Sequence, residues 1–191
     1  MGHSIRIFVA AFAVCVGMES LVHADGLAGT YIGSAMYACR YTTSPDGAGV
    51  AASQMQSQAV TGFSRFTSDG RLTVEVVSNT YNVVLNTNPP TGTRGTTLAL
   101  CAGTYSPNAD GSYSTDVECI AHPMNPDGSV NEGTTIDVPS IKGRLVKAGN
   151  ELFRMPLGGP EEETVITTTG PTTTTAWRKC TRTGSLHKTG N

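Results

Sequence analysis

The sequence predicts an all-β protein: a single antiparallel up-and-down barrel of roughly eight to ten strands, held by two disulfides. Three observations lead there. Behind the N-terminal segment, apolar and polar residues alternate over most of the chain, and no apolar run keeps a helical period. Turn sequences built on Asp-Gly, Gly-Asn and Gly-Pro recur at fairly even spacing. The cysteines that follow the N-terminal segment are even in number and fall where strands are expected.

The chain of 191 residues opens with the features of an export signal. Arg6 precedes an apolar stretch from Ile7 to Met18, and Leu21-Val22-His23-Ala24 offers small residues at the cleavage positions. Residues 1–24 therefore read as a cleaved signal peptide, with the cut before Asp25 and the periplasm or the medium as destination. The apolar stretch is too short to stand as a membrane-spanning helix, and Cys15 lies inside it rather than at its end, which argues against lipidation. Residues 25–183 then form one barrel domain and residues 184–191 a flexible tail. A net charge of −2 supplies no basic face for nucleic acid or an anionic membrane. No transmembrane segment is expected in the mature chain.

The strands follow in order. From Thr30 to Tyr41, Tyr31, Gly33, Ala35, Tyr37, Cys39 and Tyr41 share one face, and Ser44-Pro45-Asp46-Gly47 ends the strand. Ala48 to Ser57 shows neither pattern clearly and reads as a helical turn or a loop. Ala59–Thr67 and Arg71–Ser78 form a hairpin about Ser68-Asp69-Gly70. Tyr81–Leu85 continues that strand or starts another. Asn86 to Gly95, with Pro89-Pro90, reads as a polar loop. Leu98 to Ala121 is a hairpin with Asp110-Gly111 at its tip, and His122 to Gly133 a loop. Ile141–Lys147 and Glu151–Met155 flank Ala148-Gly149-Asn150, and Glu163–Thr169 and Thr172–Thr181 flank Gly170-Pro171.

Cys101 and Cys119 lie symmetrically about Asp110, so folding at that tip brings them face to face. Their pairing leaves Cys39 with Cys180, a bond that joins the first strand to the last, as closure of a barrel requires. No pair has the short spacing of a zinc site. An immunoglobulin-type sandwich fits less well, because the only tryptophan, Trp177, lies near the end rather than between two cysteines. A lipid-embedded barrel is disfavoured by the absence of a continuous apolar face with aromatic girdles.

Gly103-Thr104-Tyr105 followed by Asn108-Ala109-Asp110-Gly111-Ser112 resembles the G-T-Y-x-x-N-x-D-G-[ST] hairpin of small secreted bacterial barrels related to the calycin superfamily, more narrowly to allene-oxide-cyclase-like and lipocalin-like barrels. Gly29-Thr30-Tyr31 and Phe66-Thr67-Ser68-Asp69-Gly70-Arg71 are similar in style. The resemblance implies a barrel with a central cavity. No stretch matches the cyclase's active-site sequence, so no catalytic residue is carried over.

The residues offer little catalytic chemistry. His122 and His187 are expected in a loop and in the tail, and no G-x-S-x-G elbow is present. The Asp-Gly pairs at Asp46, Asp69, Asp110 and Asp127 lack the ligand spacing of a calcium loop and read as turns. No metal or other cofactor is expected. Glu161-Glu162-Glu163 reads as a solvated strand entry, Asp116 and Glu118 as solvent-facing, and the threonines from Thr164 to Thr175 as β-branched strand filler. Tyr31, Tyr37, Tyr105 and Tyr113 alternate in phase with the cysteines of their strands, which makes them the candidate lining of an interior ligand site. The expected function is a module that binds a small apolar or amphipathic molecule inside its barrel. The alternatives are a cyclase-like enzyme acting on a lipid-type substrate and a structural or surface-interaction protein with a filled barrel.

Overall fold

A computed structural model describes residues 24–42, 45, 50–84, 89–156 and 158–189. Among the described residues a 3₁₀ turn, Ala24–Leu27, precedes nine strands: β1 (Gly29–Thr42), β2 (Val50–Phe66), β3 (Arg71–Val84), β4 (Thr91–Pro107), β5 (Tyr113–Pro123), β6 (Thr134–Ala148), β7 (Glu151–Met155), β8 (Glu161–Thr169) and β9 (Thr172–Lys188). They form one antiparallel sheet in which neighbours in sequence are neighbours in space from β1 to β7, and the pairing of β1 with β9 closes the ring. Strands β7 and β8 both lie between β6 and β9. The first pairs with Arg144–Ala148 of β6 and the second with Thr134–Asp137. On the other side β7 meets Gly184–His187 of β9, and β8 meets Thr172–Cys180. They are two lengths of one stave, β7 ending at Met155 and β8 beginning at Glu161. The predicted signal segment lies, apart from Ala24, outside the described residues, as does most of the expected turn at residues 44–47.

Alternation sends every second side chain inward. On β1 the inward set is Tyr31, Gly33, Ala35, Tyr37, Cys39 and Tyr41, the face expected from the sequence. Cys39 stands directly opposite Cys180 and Cys101 opposite Cys119. Both pairs form disulfides inside the barrel, each with a Cα–Cα distance of 4.0 Å. One end is closed by a packed floor of Leu27, Tyr31, Phe66, Leu72, Tyr105 and Leu152, against which Tyr113 and Leu186 rest. Tyr31 and Phe66 meet edge to face at 5.3 Å, and Phe66 and Tyr105 at 5.2 Å. The Tyr105 hydroxyl donates to the Thr67 carbonyl over 2.6 Å. Burial pushes the Tyr31 hydroxyl above its usual pKa.

Four expectations change. The stretch after Gly49 is strand rather than helical turn or loop: β2 begins at Val50. Its alternation is hidden because inward positions are taken by Gln56 and Gln58. The expected loop to Gly95 ends early, since Thr91–Gly95 pairs with Thr80–Val84; small polar residues there extend the hairpin through backbone bonds alone. The sixth strand starts at Thr134, not Ile141, and a bulge places Pro139 and Ser140 opposite Glu118, where a proline without an N–H does least harm. The tail expected from Gly184 is strand to Lys188, paired with both β1 and β7, because Gly184 and Leu186 continue the inward phase of Arg182.

Two turns at opposite ends share one construction. In Asn108–Ser112 the Asp110 carboxylate accepts from the Ser112 N–H at 3.0 Å and from its hydroxyl at 2.5 Å, and Gly111 takes a φ of 79°. In Asn125–Ser129 Asp127 does the same for Ser129, with Gly128 at 85°. The serine bonds hold both carboxyls below their usual pKa. These aspartates are occupied by their own turns, which is the turn reading rather than the calcium one. The threonines of β8 and β9 also pair across strands: Thr168 and Thr173 hydroxyls lie 3.2 Å apart.

Three inward glycines set the curvature. A Cβ on Gly33, Gly62 or Gly103 would lie 2.0 Å from the carbonyl oxygen of Ser185, Glu75 or Asp116 on the adjacent strand. The wall bends so tightly there that only hydrogen fits. Gly103→Ala is accordingly expected to lower unfolding free energy by at least ~1–3 kcal/mol in urea melts. The two disulfides are expected to differ. Their sequence separations are 141 and 18, which in the chain-entropy picture correspond to about 5 and about 3 kcal/mol. The Cys39→Ala/Cys180→Ala double variant is therefore expected to show a larger fall in urea midpoint than Cys101→Ala/Cys119→Ala.

Candidate functional site

Above the floor the barrel is hollow. The cavity measures about 550 Å³. Its two sides differ in chemistry. One is mainly apolar: Val60, Val74, Val76, Ala99, Val117 and Val138, with the Cys101–Cys119 bridge among them and Ser78, Thr80 and Thr97 towards the open end. The other carries Tyr37, Tyr41, Gln56, Arg154, Arg178 and Arg182. Asn82, Arg94 and Met124, at the strand ends opposite the floor, belong to its mouth. A smaller chamber of about 90 Å³ lies towards the glycines, bounded by Gly33, Gly62, Leu145 and Arg154.

The polar side follows from register. Glu161 of β8 pairs with Cys180 of β9, and Glu163 with Arg178. On the other edge of β9, Cys180 pairs with Cys39 and Arg182 with Tyr37. Because Cys180 points inward, Arg178 and Arg182 must do so too, and their acidic partners arrive from the neighbouring strand. Arg178 donates from Nε to Glu163 at 2.8 Å and from Nη1 to Gln56 at 2.6 Å. Arg182 is ion-paired through Nη1 with Glu161 and through Nη2 with Glu163. Arg154, on the last turn-ward half of β7, reaches Glu161 at 3.4 Å and the Lys142 carbonyl at 2.9 Å. It bridges the interruption between β7 and β8 and occupies the space left by Gly143, where a Cβ would lie 2.8 Å from Arg154 Nη2. Gln56 carries the network on to Asn82 at 2.8 Å and to the Tyr41 hydroxyl at 3.3 Å.

The Arg182 side chain has no exposed surface and that of Glu163 has 1%. Burial lowers the pKa of both Arg178 and Arg182, and for Arg182 the neighbouring Arg154 charge lowers it further. Guanidinium stays protonated under such shifts. Three arginines therefore face two glutamates, and the wall has one positive charge in excess. Both Arg182 and Arg154 lie over the Tyr37 ring, with Cζ at 4.8 and 5.9 Å from its centroid.

Of the four tyrosines singled out from the sequence, Tyr37 lines the cavity. Tyr31, Tyr105 and Tyr113 belong to the packed floor below it. Glu161 and Glu163 correct an expectation: they are buried, and only Glu162 faces solvent, where it meets Lys179 at 3.0 Å. Asp116 and Glu118 are exposed as expected. His122 and His187 both sit on strands with outward phase, bonded to the Thr134 carbonyl at 3.1 Å and to Glu151 at 3.3 Å. Alternation alone does not reveal the buried arginines and glutamates, yet the sequence holds a signal for them. Folding β8 onto β9 about Gly170-Pro171 aligns Glu161-x-Glu163 with Arg178-x-Cys180-x-Arg182, and Cys180 shows which face is inside.

A broader groove of about 830 Å³ runs along the outer wall past Met36, Tyr81, Arg94 and Met124. The outer wall also bears Glu75, Asp116, Glu118 and Lys142, all exposed. Among the described residues no cluster of His, Cys, Asp and Glu could hold a metal, and no helix is long and apolar enough to cross a membrane. Compared with protein-family models, curated proteins and solved structures, the chain matches none.

The ion-pair network generates a contrast between adjacent residues. Glu163→Gln strands two buried guanidiniums and is expected to cost about 3–5 kcal/mol in urea unfolding. Glu162→Gln removes only a surface pair and is expected to change stability by less than about 1 kcal/mol.

Proposed function

We propose that the protein is an exported binding module whose barrel encloses one small amphipathic molecule. The observation that carries this reading is the two-sided cavity: a valine-and-alanine face for an apolar body, opposite a face of arginines, glutamine and tyrosine for a polar group. Ligand sites of this size commonly combine a broad apolar lining with a few fixed polar groups. Glu161 and Glu163 are each held by two guanidiniums, an arrangement that suits fixed recognition better than transfer of a proton, so binding is favoured over a cyclase-like reaction. The hollow interior favours it over a filled, purely structural barrel. Two interior disulfides support export to an oxidising compartment. The antiparallel ring with an inner cavity supports the calycin-like relationship.

Ala99 is buried on the apolar face, whereas Ala102 on the same strand is exposed. Ala99→Phe fills the cavity and is expected to weaken binding of 1-decanol, measured by titration calorimetry, by about tenfold or more. Ala102→Phe is expected to leave it unchanged. Equal binding by the wild type and both variants would place the ligand outside the barrel.

A further inference from the structure

The three interior arginines are not equally occupied. Arg178 has Glu163 and Gln56. Arg182 has both glutamates through its two terminal nitrogens, yet its Nε is buried without a hydrogen-bond partner. Arg154 shares Glu161 with Arg182 over the longer distance of 3.4 Å, and its Nε is likewise buried and without a hydrogen-bond partner, as are the Oε1 atoms of Glu161 and Glu163. Two cations thus converge on one carboxylate beside Tyr37. The excess positive charge of the wall resides there, at the boundary between the main cavity and the small chamber beneath it. A buried donor left unmade costs free energy that a matching acceptor recovers, and an ionised acceptor recovers the most.

We propose that Arg154, with Arg182 beside it, receives the carboxylate of a monoanionic organic acid whose apolar body lies against the valine face. The assignment rests on the binding-module reading and adds the head group to it. A monoanion brings the interior to neutrality, whereas a neutral alcohol leaves the excess charge in place. A phosphate ester, with its second charge, would leave a net negative interior. Arg154 is the residue that changes partner: its bond to Glu161 is the longest ion pair of the interior set, so its guanidinium turns most readily from that carboxylate towards a ligand in the cavity. Glu161 is then the ligand's competitor for the same guanidinium.

Calorimetric titration with decanoate and with 1-decanol at neutral pH tests this. The wild type is expected to prefer decanoate by about tenfold or more, the size of one charge-assisted hydrogen bond. Arg154→Gln is expected to erase that preference, lowering the affinity for decanoate far more than that for 1-decanol, and Arg154→Lys to restore part of it. Glu161→Gln removes the competitor and is expected to raise the preference above that of the wild type, a gain that loss of structure cannot imitate. A wild type that binds both probes without preference, or an Arg154→Gln variant that keeps the preference, overturns the assignment and leaves the cavity reading standing. Binding of neither probe overturns both. Should Arg154→Gln fail to fold, an unchanged preference in Glu161→Gln overturns the assignment alone.

Discussion

The pairing of the first strand with the last holds the molecule in its form. Twelve cross-strand pairs join β1 to β9, from Tyr31 opposite Lys188 to Thr42 opposite Trp177, with Cys39 and Cys180 bonded at the ninth. Without this seam the sheet would have two long edges and no inside. With it, register at one point propagates everywhere, because a slip of one residue would turn every side chain to the opposite face. The bond at Cys180 therefore does more than tie two strands. It fixes Arg178 and Arg182 as inward residues, and the short β8–β9 hairpin then delivers Glu163 and Glu161 to them. A covalent constraint in the wall thus determines an electrostatic arrangement in the interior.

The interior divides along its axis according to what each level must do. The floor is dense, aromatic and leucine-rich, and it seals one end with Leu27 from the N-terminal turn. The glycine level bends the wall and leaves room above the floor. Over it lies the two-sided cavity. The interruption between β7 and β8 belongs to the same design. A continuous stave would carry its ladder past Val138–Gly143 of β6; the break instead leaves the Lys142 carbonyl to be met by Arg154. The backbone group is satisfied by a side chain, and that side chain enters the cavity.

Much of the frame was legible from residues alone. Both disulfides, the strand order, the closed ring and the main hairpin turns follow from alternation, Asp-Gly chemistry and the symmetry of Cys101 and Cys119 about Asp110. What was illegible has a common physical cause. Local patterning equates polar with exposed, and this barrel places Gln56, Gln58, Arg154, Arg178, Arg182, Glu161 and Glu163 inside. Where inward positions are polar, alternation vanishes, as at the start of β2, or is misread, as in Glu161-Glu162-Glu163. The tyrosines show the converse: all four singled out have inward phase, but depth along the axis is a tertiary property, so Tyr37 lines the cavity while Tyr31, Tyr105 and Tyr113 pack beneath it. Gly184 to Lys188 read as tail from the sequence because their partners on β1 and β7 are distant along the chain.

The cost of the polar wall bears on its meaning. Buried ion pairs give up hydration that their mutual attraction only partly returns, and well-packed apolar side chains of similar volume often hold a fold as well or better. Stability alone would be served by apolar residues such as valine at these positions of β8 and β9, as at Val165 and on the opposite wall. Here the arrangement is also unbalanced, with three cations to two anions, and buried polar atoms of Arg154, Arg182, Glu161 and Glu163 are left without hydrogen-bond partners. An arrangement built only to be stable would be complete in itself. One with a single positive charge in excess, inside a cavity with an apolar face opposite, has the chemical shape of half an interaction, and that imbalance is the physical ground for proposing that the interior holds a ligand.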